Sequence, residues 1–397
     1  MTLRRVLILA DESADWMVAG LRQLDRLALA IDEFAVDNRE TSPVLVCLFW
    51  RSDLDQSQRW IPADPRLTKV AFTNELEPER YDLVLSTRLF LYRKAIAELL
   101  SEGRASARPI SSGNALSEIS DVRKHVPPRE EQSWETYRRV ADSVRPSANG
   151  LWDYIANGDQ IDGIERKFLR GIGKSQDGFV SRYMNRPISR AMTRLLLRFP
   201  ATPNAWTWLI FPLPVVAAFL LARGTYWSFV WGLILYQVFS ILDGCDGEIA
   251  RAKFMESERG RRLDDLFDVL SNILLVLGLG FGLSRAHPRF GSLFIVEGIA
   301  AALLIGLNEW QLSRTPASET NADSLGGTLY PRHRELVTRS GLLAFGEKFA
   351  SLLIQLTKRD VAVLFFLFLA AVGWPSVILH LLFVVTALTL AAALRSR

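Results

Sequence analysis

Hydrophobic and polar positions follow two different rules along this chain. Up to about residue 125, short apolar runs alternate with mixed ones. RVLILA (5–10), PVLVCLFW (43–50), LTKVAF (67–72) and YDLVLSTRLF (81–90) read as strands, and the runs 17–36 and 93–103 read as helices. Strands alternating with helices predict an α/β domain with a largely parallel sheet, assigned to residues 1–150. Residues 151–200 are then a connector leading into an amphipathic, Arg-rich juxtamembrane helix. From residue 201 to 397 the rule changes to long apolar runs. Six of them, at about 205–222, 226–248, 263–284, 291–309, 360–374 and 376–394, are long enough or nearly so to cross a bilayer. The expected fold is therefore an N-terminal α/β domain followed by an all-α polytopic membrane domain of six transmembrane helices.

Charge refines the picture without overturning it. Lys and Arg number 47 against 43 Asp and Glu, a net charge of +4, and nothing in that balance suggests a nucleic-acid partner. Basic residues gather before the first span, between the second and third (Arg251, Lys253, Arg259, Arg261, Arg262), in the 310–358 loop and at the C-terminal RSR. By the positive-inside rule, both termini and the second-to-third loop face the cytoplasm of a multi-pass protein in the cell's inner (cytoplasmic) membrane. Two cysteines, Cys47 and Cys245, are too few for a disulfide framework. The N-terminal apolar run is too short for a cleaved signal and reads as a first strand.

Against that apolar background, Asp243, Asp246, Asp264, Asp265 and Asp268 stand out, because each carboxylate near a membrane core costs a few kcal/mol. Asp243, Asp246, Gly247 and Ala250 share one helical stripe at the end of the second span, and Gly260, Asp264 and Asp268 make a matching stripe opening the third. One explanation is a solvated acidic face paired with Arg259, Arg261 and Arg262. The other is a site for two Mg²⁺ or Mn²⁺ ions, since hard oxygen ligands on rigid helices suit such ions and a pair of them clamps a diphosphate. Gly247 and Gly260 would leave room for a nucleotide against the backbone, with Arg251 placed to meet a phosphate.

The string Asp243-x-x-Asp246-Gly247-x-x-Ala250-Arg251, eight residues, Gly260-x-x-x-Asp264-x-x-x-Asp268 resembles the CDP-alcohol phosphotransferase signature at every motif position. The resemblance implies a membrane enzyme that transfers a substituted phosphate from a CDP-alcohol donor to a polar alcohol acceptor and releases CMP. It assigns Asp243, Asp246 and Asp264 to the metals, and Asp268 to the second metal and to general-base work. It places Asp246, Gly247, Ala250, Arg251 and Gly260 around the cytidine nucleotide, and it implies a homodimer in membrane lipid. Asn204 and Thr207 resemble the family's Pro-Asn-x-x-Thr element and join that pocket, helix capping being the alternative. Asp265 falls outside the motif and is expected at the surface or behind the ligands.

The segment from Lys174 to Leu197, with Asp177, Gly178, Ser181, Arg182, Asn185, Arg186 and Ser189, resembles the juxtamembrane segment of bifunctional inositol-1-phosphate cytidylyltransferase/di-myo-inositol phosphate phosphate synthases. Lys174, Arg182 and Arg186 are candidates for an anionic acceptor such as an inositol phosphate. The four-residue spacing of Arg182, Arg186, Arg190 and Arg194 also suits anionic headgroups. Arg359, at the start of the fifth span, is a further acceptor candidate. The N-terminal domain resembles a sugar-phosphate nucleotidyltransferase in pattern only: its first loop reads ADESADW without Gly-x-Gly, and Ser86, Thr87 and Arg88 stand where a metal-binding Asp is needed. It is expected to be a degenerate, catalytically dead domain. Two other readings stay open, a phospholipid synthase using CDP-diacylglycerol and a non-catalytic membrane scaffold or ligand-binding protein.

Overall fold

The computed structural model describes residues 3–76, 81–93, 95–105, 134, 138, 152–172, 179–314 and 359–395. It divides into two compact units, Met1–Gly171 with Arg251–Phe254, and Ile172–Ala250 with Met255–Arg397.

The first unit is built on a parallel sheet. Strands β1 (Arg5–Ala10), β4 (Val44–Trp50), β5 (Val70–Thr73) and β6 (Leu83–Ser86) run in the order β5-β4-β1-β6, with Val6 opposite both Val46 and Leu83. Strand β1 is central and buried along its length after Arg5, which is why it is uniformly aliphatic. Helix α1 (Gln23–Asp37) presents Leu24, Leu27, Ile31 and Phe34 at helical spacing to the same core as Val6 and Ile8. Each such side chain contributes about 2 kcal/mol through the apolar surface it hides.

Two expected elements differ. The helix expected from Met17 begins only at Gln23, because Ala19 and Gly20 both have positive φ (49° and 79°) and turn a small hairpin, β2 (Met17–Val18) with β3 (Leu21–Arg22). The single strand expected over 81–90 breaks after Ser86, and its second half, β7 (Leu89–Leu91), pairs antiparallel with β8 (Trp152–Tyr154). The break lies at Thr87 and Arg88. Thr87 Oγ1 accepts from Ser13 Oγ at 2.7 Å, and Arg88 donates to Asp11 Oδ2 at 2.7 Å, Glu12 Oε1 at 2.5 Å and the Ala156 carbonyl at 2.6 Å. These groups lie at the carboxyl ends of β1 and β6, the end of a parallel sheet where ligands usually bind. Here the protein's own guanidinium occupies it.

The second unit is helical. A short i→i+5 turn, Ser181–Asn185, runs into α4 (Arg186–Leu196); α2 (Ala95–Ala105) and α3 (Ile161–Gly171) precede it in the first unit. Helices α5 (Pro203–Ile210) and α6 (Pro212–Ala222) form one apolar stretch interrupted at Pro212, whose ring and missing N–H forbid a regular helical bond. Then come α7 (Tyr226–Ala252), α8 (Glu258–Ala286), α9 (Gly291–Arg314), α10 (Arg359–Ala371) and α11 (Pro375–Arg395). Among the described residues, four helices are long and apolar enough to cross a membrane: Pro203–Ala222, Tyr226–Ala252, Glu258–Ala286 and Pro288–Gln311. Val361–Ala371 and Pro375–Ala391 are shorter apolar helices at the expected fifth and sixth positions. Most of the expected 310–358 loop lies outside the described residues.

Helix α8 is the hub. A Cβ on Gly282 would sit 2.0 Å from the Leu221 carbonyl oxygen and one on Gly278 2.9 Å from that of Ala218, so the LGLGFG stretch is where α6 lies backbone to backbone on α8. Several polar groups inside these apolar helices pair with one another. Tyr236 donates to Asn272 Oδ1 at 2.7 Å, Gln237 to Asn185 Oδ1 at 3.1 Å, and His380 Nδ1 lies 2.7 Å from Glu297 Oε1.

Acid sensitivity of the first unit follows from its crevice. Burial pushes the Asp11 carboxyl up, but hydrogen bonds from Ser13 and Arg88 outweigh it and hold the group below its ordinary range. Its stabilising share is complete above about pH 4 and is lost as the pH falls through that lowered value. Arg88→Leu should cost about 3 kcal/mol at pH 7 by leaving Asp11 buried without its cation, and should flatten the acid limb. Denaturant unfolding of the full chain between pH 3 and 7, read by Trp fluorescence, checks both.

Candidate active site

The site is assembled at three helix ends of the second unit. Asp243 and Asp246, three residues apart on α7, face one way. Helix α8 begins at Glu258 because Ser257 caps it, its Oγ accepting from Gly260 N at 3.0 Å, and this start brings Asp264 in the second turn to the α7 pair. Ligand oxygens of Asp243, Asp246 and Asp264 all lie within 4.8 Å of one another. Asp246 is only 7% exposed. Thr207, from α5, donates to Asp246 Oδ2 at 2.8 Å, and the Gly247 N–H donates to Oδ1 at 2.5 Å.

Such crowding could be relieved by a cation. At an effective dielectric near 20, two carboxylates about 4 Å apart repel by about 4 kcal/mol, and three of them repel in every pairing. The donor set is entirely oxygen and comes from two rigid helices, which fits a hard divalent ion such as Mg²⁺ or Mn²⁺. Of the arginines expected beside the cluster, Arg261 bonds to Glu258 and, at 2.7 Å, to Asp265, and Arg262 bonds to Glu258 at 3.0 Å. Asp265 is thus an ion-pair residue behind the ligand face.

The other expected residues distribute as follows. Asp268 is half-buried one turn beyond Asp264, its carbonyl accepting from Ser271 Oγ at 2.8 Å. Gly247 is half-buried and Ala250 buried on α7, and Arg251 stands in its last turn. A Cβ on Gly260 would meet Asn204 Oδ1 at 3.2 Å, so the glycine is what lets Asn204 reach the first turn of α8. Asn204 and Thr207 therefore both meet the acidic helices, while the capping of α5 falls to Thr202, which accepts from Ala205 N at 3.3 Å. Arg182 is exposed. Arg186 is buried. Arg359 opens α10, and Lys174 lies outside the described residues.

Glu248 was missed by the sequence reading. It sits inside the acidic motif and is fully buried, accepting from Arg186 Nη1 at 3.0 Å, Ser189 Oγ at 3.0 Å and Thr193 Oγ1 at 2.7 Å. A Cβ on Gly244 would lie 3.3 Å from Arg186 Nη1, so that glycine opens the path of the guanidinium. Two signals could have found this: a Glu in an apolar helix must be compensated, and Arg186, Ser189 and Thr193 recur at helical spacing on one stripe.

Residues 201–392 match the family described as CDP-alcohol phosphatidyltransferase. Three relatives, each named "Bifunctional IPC transferase and DIPP synthase", extend the comparison. The protein of Rubrobacter xylanophilus is 35% identical over 185 residues, covering 46% of this chain and 40% of its own length. Those of Thermococcus kodakarensis (38% over 118 residues) and Aquifex aeolicus (40% over 101) cover 30% and 25% of this chain and 26% and 22% of their own lengths. The chain thus matches less than half the length of these relatives. The three converging carboxylates all lie within the matched residues 201–392.

The buried pair behind that motif can be probed by stability. Arg186→Met should lower the domain's stability by about 3–5 kcal/mol because Glu248 is left charged and buried, and adding Glu248→Leu should restore part of the loss. Thermal unfolding in detergent would show it, and a double variant no more stable than Arg186→Met would exclude the pair.

Proposed function

We propose that this protein is an integral membrane transferase that moves a substituted phosphate from a CDP-alcohol to an acceptor hydroxyl and releases CMP. The observation that carries the reading is the convergence of Asp243, Asp246 and Asp264, in a domain of this family, into an all-oxygen cluster within 4.8 Å. Asp243, Asp246, Asp264 and Asp268 would hold two divalent cations, Mg²⁺ or Mn²⁺. When bound, such ions neutralise the diphosphate and stabilise charge developing on the attacking and leaving oxygens. Thr207 fixes one oxygen of Asp246 and leaves the carboxylate's remaining lone pairs turned to the site.

The Asp268 carboxylate then takes the proton of the acceptor hydroxyl as the new O–P bond forms and the P–O bond to CMP breaks. Gly247, Ala250 and Gly260 keep the walls of the donor pocket low, and Asn204, Thr207 and Arg251 line it. Lys174, Arg182 and Arg359 are the cationic candidates for the acceptor, Arg186 being held by Glu248. Their charge, the juxtamembrane resemblance and the relatives' printed names support an inositol phosphate or a similar polar alcohol as acceptor. The family's description favours a second reading, a lipid donor of the CDP-diacylglycerol type.

Domain boundaries at 150 and 200 and six spans complete the proposal, the two shorter apolar helices serving as the fifth and sixth. Both termini and the active site face the cytoplasm at the inner membrane, and two copies associate in the lipid. The first unit is taken as degenerate, with Arg88 filling its crevice, so another nucleotidyl-transfer reaction must supply the CDP-alcohol.

Full-length protein in nanodiscs, given Mg²⁺ and a panel of CDP-alcohols with inositol phosphates or other polar alcohols, should release CMP in step with the new phosphodiester. EDTA should abolish release and Mg²⁺ or Mn²⁺ restore it. Asp268→Asn should lower kcat by about 10²–10⁴-fold. CMP release within tenfold of wild type in that variant would remove Asp268 as the base. Turnover with CDP-diacylglycerol alone would favour the lipid reading, and no CMP from any pair would leave a scaffold.

A further inference from the structure

Helix α7 runs toward the acidic cluster and α8 away from it. Tyr236 precedes Asp243 by seven residues on α7, and Asn272 follows Asp264 by eight on α8, so each lies roughly 10–12 Å below the cluster at the rise of an α-helix. At that shared depth the two side chains meet. Tyr236 Oη donates to Asn272 Oδ1 at 2.7 Å and lies 3.4 Å from Ser271 Oγ, which in turn donates to the Asp268 carbonyl at 2.8 Å. Tyr236 and Ser271 are buried, so water does not compete for their hydroxyls and the bond is held in surroundings of low dielectric.

The interface between the two helices changes character at this level. Deeper in the domain, Leu233, Leu275, Val276 and Leu279 share one apolar core with the Tyr236 ring. Toward the site, the α7 positions in line with Tyr236 are Ser240, Asp243 and Gly247, and the α8 positions in line with Asn272 are Asp268 and Asp264. All five are half-buried, none brings an apolar side chain to the gap, and Asp243 repels Asp264 across it. The bond between Tyr236 and Asn272 therefore closes the apolar core at the point where repulsion begins.

We infer that Tyr236 and Asn272 are positioning residues for the metal ligands: their hydrogen bond pins α7 to α8 at the inner edge of the site and sets the distance at which Asp243 and Asp246 face Asp264 and Asp268. The inference rests on the function proposed above, in which these four carboxylates hold divalent cations. A hydrogen bond suits the task because its length and direction are narrowly fixed, whereas apolar side chains slide past one another at little cost. Ser271 carries the same constraint to the backbone at Asp268. With the pin in place the ligands are gathered before an ion arrives. Without it the helix ends relax apart, and part of the binding energy goes into drawing them back. The pin therefore acts on metal affinity, and on turnover only through it.

Tyr236→Phe is the decisive variant, because it removes one hydroxyl and leaves the ring in the core. Tyr226→Phe is the control: it removes the same atom from the other end of α7, where Tyr226 donates to the Ala371 carbonyl at 2.8 Å. In full-length protein in nanodiscs, titrated with Mn²⁺ while the free ion is followed by electron paramagnetic resonance, Tyr236→Phe should weaken binding about three- to tenfold, the range of interhelical hydrogen bonds in membranes converted to affinity. Tyr226→Phe should bind as wild type does. Asn272→Ala should weaken binding by the same factor as Tyr236→Phe, and the double variant no further, since both changes remove one bond. The Mn²⁺ concentration for half-maximal CMP release should shift by that factor, with donor and acceptor KM at saturating metal within twofold of wild type. Unchanged Mn²⁺ affinity in Tyr236→Phe overturns the pin, as do equal losses in the two tyrosine variants or additive losses in the double variant. Wild-type protein that takes up no Mn²⁺ overturns the metal site and the pin together. The expected pattern of Mn²⁺ binding with no CMP from any substrate pair overturns the proposed reaction and leaves the pin standing.

Discussion

Everything in the second unit is arranged around the mutual repulsion of Asp243, Asp246 and Asp264. Three carboxylates with oxygens inside 4.8 Å of each other are unfavourable in any medium of low dielectric, and a membrane helix end is such a medium. The fold holds them there by stiffness. Thr207 and the Gly247 N–H fix Asp246 from one side, Ser257 fixes the start of α8 from the other, and Gly278 and Gly282 weld α8 onto α6 without intervening side chains. A cluster of this kind could hold a divalent cation, because an ion bound there would relieve each repulsive pair at once.

Glu248 poses the same electrostatic problem and solves it differently. It lies two residues from Asp246 on the same helix, yet points into a closed pocket where Arg186, Ser189 and Thr193 satisfy it completely. One helix thus carries an acid paired with an arginine and acids gathered into a cluster that could hold an ion. The difference is one of direction, set by the 100° that separates successive residues around a helix. It also ties α4 to the motif, so the amphipathic segment before the membrane domain is packed into it, and Arg186 is committed to Glu248 while Arg182 remains open to solvent.

Much of this architecture was legible in the residues. Aliphatic runs bounded by polar turns located β1 and β4, and long apolar runs located α5 to α9, because hydrophobic period and length are local properties. What failed also failed for physical reasons. The start of α1 was misplaced because Ala19, a residue that rarely adopts positive φ, does so beside Gly20. The strand over 81–90 was drawn through a break that exists only because Thr87 and Arg88 bond to groups more than seventy residues away.

The sequence by itself determined the chemistry: which residues are acids, at what spacing, and on which apolar helices, since helical period places Asp243 with Asp246 and Asp264 with Asp268 without further information. Only the tertiary structure decided which charges neutralise one another. That Arg186 belongs to Glu248 and Arg88 to Asp11 depends on distances of a few ångströms between segments far apart in the chain. Coulombic and hydrogen-bond energies fall steeply over those distances, so the pattern of pairing is invisible until the chain is folded.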